Sequence, residues 1–146
     1  FWSESGSNWR GSLSKRSRRR ICVIGNLNFI RTVVRMDCLF CKFATKEIPV
    51  EFVYDSETVF AINDINPQAP VHILIIPKGH YKSAPELASS EANILAEMFK
   101  ASSELAKARG IDSFRTVFNT GAGAGQSVFH AHLHLLGGRD FTWPPG

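Results

Sequence analysis

The chain has 146 residues with a 44% hydrophobic composition, enough for one domain with a real core and too few for two. Its formal charge of +4 is unevenly placed: residues 1–35 hold eight of the 17 basic residues and one of the 13 acidic ones, so the remainder is mildly acidic. A nucleic-acid-binding domain needs a basic face of its own, and no apolar run reaches the length of a membrane span, so neither nucleic acid nor membrane is an expected partner.

Residues 1–35 read as a disordered basic leader. Translated upstream sequence or a tag ahead of a start at Met36 is one account, and an Arg/Ser-rich organelle-targeting segment is the other. Asn26, Asn28 and Arg31 interrupt the apolar stretch 21–34, which argues against a secretory signal. Cysteines stand at 22, 38 and 41. An odd count without such a signal argues against a disulfide framework and for a reducing, cytoplasmic setting.

Residues 38–46 predict a short helix or knuckle, and 50–54 with 58–62 a hairpin turning at Asp55-Ser56-Glu57. Residues 64–70 predict a loop, because Pro67 and Pro70 cannot sit inside a central strand. A continuous apolar strand over 71–76 is broken only by His72. Ser83-Ala84-Pro85-Glu86 matches a capping box with proline in the first turn. The main helix is predicted over 90–109, with Ile94, Leu95, Met98, Ala101, Leu105 and Ala108 on its core face and Gly110 as its stop. Strands follow at 114–119 and 128–136. The order implies an α+β fold, a mainly antiparallel sheet with one long helix and a short N-terminal helix.

The last strand carries the chemistry. In His130-Ala131-His132-Leu133-His134-Leu135-Leu136 the imidazoles alternate with apolar residues. In extended chain they share one face, about 6.5–7 Å apart at the backbone, while Ala131, Leu133 and Leu135 face a core. Upstream lies Gly121-Ala122-Gly123-Ala124-Gly125-Gln126-Ser127, whose bare N–H groups suit a phosphate. His-x-His pairs also bind zinc, so the imidazoles suit metal or phosphate, with the glycine loop favouring phosphate for the middle one. An imidazole, with an ordinary pKa of about 6.5, is largely neutral at cellular pH and can attack phosphorus.

The run 130–136 resembles the His-φ-His-φ-His-φ-φ signature of the histidine triad (HIT) superfamily. The likeness extends to residues 60–70, His72, Ile76-Pro77-Lys78-Gly79-His80, Asn119, Gly125-Gln126-Ser127 and Trp143-Pro144-Pro145-Gly146, which resemble the HINT branch of purine nucleoside phosphoramidases. It covers residues 37–146 and none of the leader. The resemblance implies a HIT-like fold, a homodimer, and cleavage of the P–N bond of purine nucleoside phosphoramidates or aminoacyl-nucleotides. His132 would be the nucleophile, with His130, His134, Ser127 and His72 around it. Asp64 would bind the ribose, Ile62 and Ile65 the purine, and Asn119, Gly125, Gln126 and Ser127 the ribose or phosphate. No organic cofactor is implied.

Cys38-x-x-Cys41 resembles the zinc pair of several HIT proteins, whose other ligands correspond to His80 and His130; two half-buried thiols on a short helix are the plainer alternative. A glutamine at the third triad position marks the transferase branch, and His134 stands there instead. Two rivals remain: a dinucleoside-polyphosphate hydrolase, and a nucleotide-binding interaction protein with incidental hydrolysis.

Overall fold

The structure is a computed structural model and describes residues 37–145. The expected leader, with Cys22 in it, and the start at Met36 lie outside the described residues. Helix α1 (Leu39–Ala44) precedes strands β1 (Tyr54–Asp55), β2 (Val59–Asn63) and β3 (Val71–Pro77). Helices α2 (Ala84–Ser90) and α3 (Ala92–Ala108) follow, then β4 (Phe114–Val117), a 3₁₀ turn at Ala122–Ala124, and β5 (Leu133–Gly137). The strands form one antiparallel sheet in the order β1-β2-β3-β5-β4. This is the expected α+β architecture.

Alternation along the strands divides the sheet into two faces. Ala61, Ile73, Ile75, Leu133 and Leu135 pack with Met98, Ala101 and Leu105 of α3. Phe60, Ile62, Leu74 and Ile76 point the other way and pack with Phe40 of α1. The triad histidines lie on this second face, where His130 and His132 both meet the Phe40 ring edge-on.

Several boundaries differ from expectation. The last strand begins at Leu133 rather than 128, so only His134 of the three histidines lies within the ladder. Its partner β3 ends in Pro77, which has no N–H to offer, and the Pro77 carbonyl accepts from the His130 ring instead. Strand β1 has two residues rather than five. Ala108 is exposed, and the buried stripe of α3 runs through Ser102 and Ala106. Ser102 is tolerated there because its hydroxyl donates to the Phe99 carbonyl at 2.7 Å.

The caps are mixed. Ser83 makes no side-chain cap bond. Glu86 reaches back one residue further and accepts from the Lys82 N–H at 2.6 Å. Gly110, at φ 67°, stops α3 as expected. Its N–H donates to the Lys107 carbonyl, and that of Ile111 to the Ala106 carbonyl, the paired bonds of a Schellman motif. No helix among the described residues is long and apolar enough to cross a membrane.

Leu135 is fully buried between the sheet and α3. Truncation to alanine leaves a cavity in the core that fixes the position of β5, and should cost about 2–5 kcal/mol. Urea unfolding of Leu135→Ala, at unchanged slope, checks this.

Candidate active site

Each triad imidazole makes a hydrogen bond that assigns its tautomer. His130 is fully buried. Its Nε2–H donates to the Pro77 carbonyl at 2.8 Å, so the Nδ1 lone pair faces the thiols. Nδ1 lies 3.4 Å from Cys38 Sγ and 3.6 Å from Cys41 Sγ. His80 joins them, with its Nδ1 3.3 Å from Cys41 Sγ. The four ligand atoms all lie within 4.8 Å of one another. Two sulfurs and two imidazole nitrogens converging in this way fit a closed, tetrahedral zinc site. Burial, together with the Cys38 thiol, pushes the Cys41 thiol up to about 11. A coordinated cation would reverse that preference and hold the thiolate.

His132 is turned over. Its Nδ1–H donates to the backbone carbonyl of His130 at 2.7 Å, which leaves the lone pair on Nε2. His132 lines a cavity of about 240 Å³ together with Ile62, Asp64, Ile65, Ser127 and His134. The same residue thus supplies a zinc-facing ring and the carbonyl that orients its neighbour.

His134 is governed from the adjacent strand. In the β3–β5 register Leu74 faces His134 and His72 faces Leu136, which makes the two histidines diagonal neighbours on one face. The Gln68 N–H donates to His72 Nδ1 at 3.1 Å, so His72 carries its proton on Nε2. That N–H lies 2.9 Å from His134 Nδ1 and 3.3 Å from Asp64 Oδ2. His134 is thereby fixed with its proton on Nε2, a buried atom with no hydrogen-bond partner among the described residues. Buried donors are nearly always satisfied, and this one belongs to a residue of the cavity wall.

Burial sets the charge of the group. It pushes His130 and His134 each down to about 4, and the neighbouring imidazoles push the same way. It also lowers His72, with Asp64 opposing. At neutral pH the rings of His130 and His134 are therefore uncharged.

The glycine loop does not present a row of free N–H groups. Those of Ala124, Gly125 and Gln126 donate to carbonyls inside the loop. The Gly121 N–H donates to Gln126 Oε1 at 2.8 Å. Gln126 is buried, and its Nε2 donates to the carbonyls of Lys82 at 2.7 Å and Val128 at 3.1 Å. Gln126 is an internal strut rather than a phosphate ligand. Gly125 is needed for its φ of 84°, a conformation that side-chain-bearing residues rarely adopt. What the loop delivers is Ser127, whose hydroxyl and N–H are unbonded among the described residues.

The residues expected to hold a nucleoside are placed unequally. Ile62 is buried in the sheet core and Ile65 is fully exposed, yet both line the cavity. Asp64 lines it too, but Oδ1 accepts the Asn66 N–H at 2.8 Å and Oδ2 faces His72, so lone pairs remain without a free carboxylate. Asn119 lies outside this wall, against the loop at Gly125. The sequence reading missed Phe40, the Pro77 carbonyl and the Gln68 N–H. Phe40 sits between the two cysteines of the C-x₂-C, which was the available signal; the backbone groups left none.

Residues 37–141 match the family model described as scavenger mRNA decapping enzyme C-term binding. The chain is 46% identical over 114 residues to an uncharacterized HIT-like protein of Synechocystis, covering 75% of this chain and 97% of that protein. It is 47% identical over 112 residues to the 14 kDa zinc-binding protein of Zea mays, covering 74% and 87%. Among solved structures, a HIT family hydrolase from Legionella pneumophila superposes with a TM-score of 0.72 at 46% identity, covering 75% of this chain and all of that one. With its sheet, its alternating imidazoles and relatives of this closeness, the chain belongs to the histidine triad family.

Proposed function

We propose that the protein hydrolyses the P–N bond of purine nucleoside phosphoramidates and aminoacyl-nucleotides, releasing AMP or GMP through a nucleotidyl-His132 intermediate. The observation that carries this reading is the pair of opposed tautomers at one cavity: a lone pair on His132 Nε2 beside an unpartnered N–H on His134 Nε2. The first suits attack on phosphorus and the second suits a phosphoryl oxygen.

His132 Nε2 bonds to phosphorus as the P–N bond breaks and its electron pair leaves on nitrogen. That nitrogen takes the Ser127 hydroxyl proton. The imidazolium left at His132 is held by the His130 carbonyl. Water then displaces the imidazole, its proton returns to Ser127, and the monophosphate departs. Ile62 and Ile65 flank the purine, and Asp64 receives a ribose hydroxyl on a lone pair that the loop leaves open.

Cys38, Cys41, His80 and His130 would hold a structural zinc, which supplies a cross-link between α1 and the triad. The relative named a zinc-binding protein supports this assignment. No organic cofactor enters. A homodimer would form on the β4 edge, where Phe114 and the Phe99–Phe118 ring pair are partly exposed. The unpaired thiols suit a reducing compartment, the cytoplasm.

Rapid-quench mass spectrometry with adenosine 5′-phosphoramidate should find one adenylyl group on His132. His132→Ala should keep AMP binding and lose turnover by roughly 10³-fold or more. Faster turnover of diadenosine polyphosphate than of the phosphoramidate would favour the rival hydrolase, and full cellular function in His132→Ala would favour the interaction protein.

His72→Ala removes the group that fixes the His134 tautomer. kcat should fall by roughly 10²-fold, with a smaller change in KM. Protonation supplies a second check. The native state holds His134 near 4 while the unfolded chain takes up its proton near 6.5, so the unfolded state binds more protons between these values. The stability this contributes is complete above pH 6.5 and is lost as pH falls toward 4. Urea titrations across that window should show the loss, smaller in His134→Gln.

Metal analysis of the purified chain should find stoichiometric zinc, and Cys38→Ser should abolish it. Chelation should lower the midpoint of thermal unfolding, because the metal binds only the folded state.

A further inference from the structure

The nucleotide cavity has a neighbour. A groove of about 710 Å³ shares Leu39, Ser127 and Val128 with it and is walled beyond them by Asp37, Lys82, Phe129 and two of the candidate metal ligands, Cys38 and His80. Ser127 and Val128 thus stand on a partition. On one side are the catalytic imidazoles and Asp64. The other side is lined by neither His132 nor His134. In-line displacement puts nucleophile and leaving group on opposite sides of phosphorus. With His132 and a nucleoside in the first cavity, in-line geometry would send the departing group toward the second.

The charge in that groove is particular. Asp37, also in its wall, is ion-paired with Lys42. The Glu86 carboxylate is engaged by the Lys82 backbone N–H. The Lys82 ammonium itself makes no hydrogen bond or ion pair among the described residues. Its backbone is nevertheless anchored, because the Lys82 carbonyl accepts from Gln126 Nε2 and Gln126 Oε1 holds the loop that carries Ser127. Beside it, Phe129 and Leu39 are 55% and 44% exposed, large apolar surfaces left open to water. A lone cation next to bare apolar walls is complementary to an anion on an apolar stem.

We propose that this groove is the leaving-group subsite and that Lys82 and Phe129 select phosphoramidates whose nitrogen is the α-amine of an apolar amino acid bearing a free α-carboxylate. The proposal rests on the phosphoramidase reading and names its preferred substrate. The carboxylate pairs with Lys82 and the side chain covers Phe129 and Leu39. As the P–N bond breaks, the nitrogen keeps the electron pair, takes the Ser127 proton and leaves as the free amino acid.

The test compares kcat/KM for three adenosine 5′-phosphoramidates: the N-linked phenylalanine with free carboxylate, its methyl ester, and the N-linked glycine with free carboxylate. The free acid should be preferred over the ester by about three- to fivefold at low salt, as expected of an exposed ion pair, and the preference should fade at high salt. Lys82→Glu should reverse the order, and Phe129→Ala should shrink the phenylalanine-over-glycine ratio. Both side chains are exposed, so neither variant should lose the fold; circular dichroism checks that. Equal turnover of acid and ester in the wild type, or an unchanged ratio in Lys82→Glu, overturns the subsite while leaving the phosphoramidase reading intact. No cleavage of any of the three removes that reading and the subsite with it.

Discussion

The hydrogen bond from His132 Nδ1–H to the His130 carbonyl is the contact on which the site depends. Neutral imidazole has one lone pair, and the partner of one nitrogen decides where it sits. Turn this bond off and the ring is free to place its lone pair inward, where it can attack nothing. The carbonyl is itself held, because the His130 ring is wedged between the Pro77 carbonyl and the thiols. The four candidate metal ligands and His132, the proposed nucleophile, are therefore one mechanical unit joined through a single residue. A cation on Cys38, Cys41, His80 and His130 would stiffen the orientation of His132 without touching substrate.

The sheet supplies the rest of the rigidity. His134 lies within the ladder, paired across β3 and β4, while His132 lies just outside it. The residue proposed to donate is fixed by main-chain pairing, and the residue proposed to attack stands where the ladder has ended, its ring oriented by one hydrogen bond. Behind both, the other face of β5 is fully buried against α3. Fixing a reacting group on a packed element is what gives it positional accuracy.

The alternation in residues 130–136 was readable because which face a residue takes follows from period two, and that survived even where the ladder did not. The main helix and its glycine stop were readable because each has a local physical cause, whereas the hairpin's first strand was placed too early and Asp55, expected in the turn, pairs with Phe60. The glycine loop misled. Glycine content announces bare backbone, but whether those N–H groups face a ligand depends on where they find acceptors, and here Gln126 closes the loop on itself. Ala108 misled in the same way, because a step of three along α3 passed over Ser102, whose hydroxyl is satisfied by its own helix. The tautomers were beyond reach, because they are set by the Pro77 carbonyl and the Gln68 N–H, groups that every sequence contains everywhere.

The distribution of charge follows one logic. Burial keeps His130 and His134 uncharged at neutral pH. A phosphoryl group entering the cavity would meet N–H dipoles rather than fixed cations. Dipoles already aligned can stabilise charge as it develops on the transferring group without reorganising. They also hold a phosphate dianion less tightly than a lysine or arginine cluster would, which favours product release. A cation near His132 would moreover draw electron density from the lone pair proposed to attack. The unpaired ammonium of Lys82 stands beyond Ser127, in the neighbouring groove. On the proposed reading it would select a substrate by its far end, away from the uncharged rings of His130 and His134. Such a separation of recognising charge from reacting dipoles would let one small domain bind an anionic ester without placing a cation beside its proposed nucleophile.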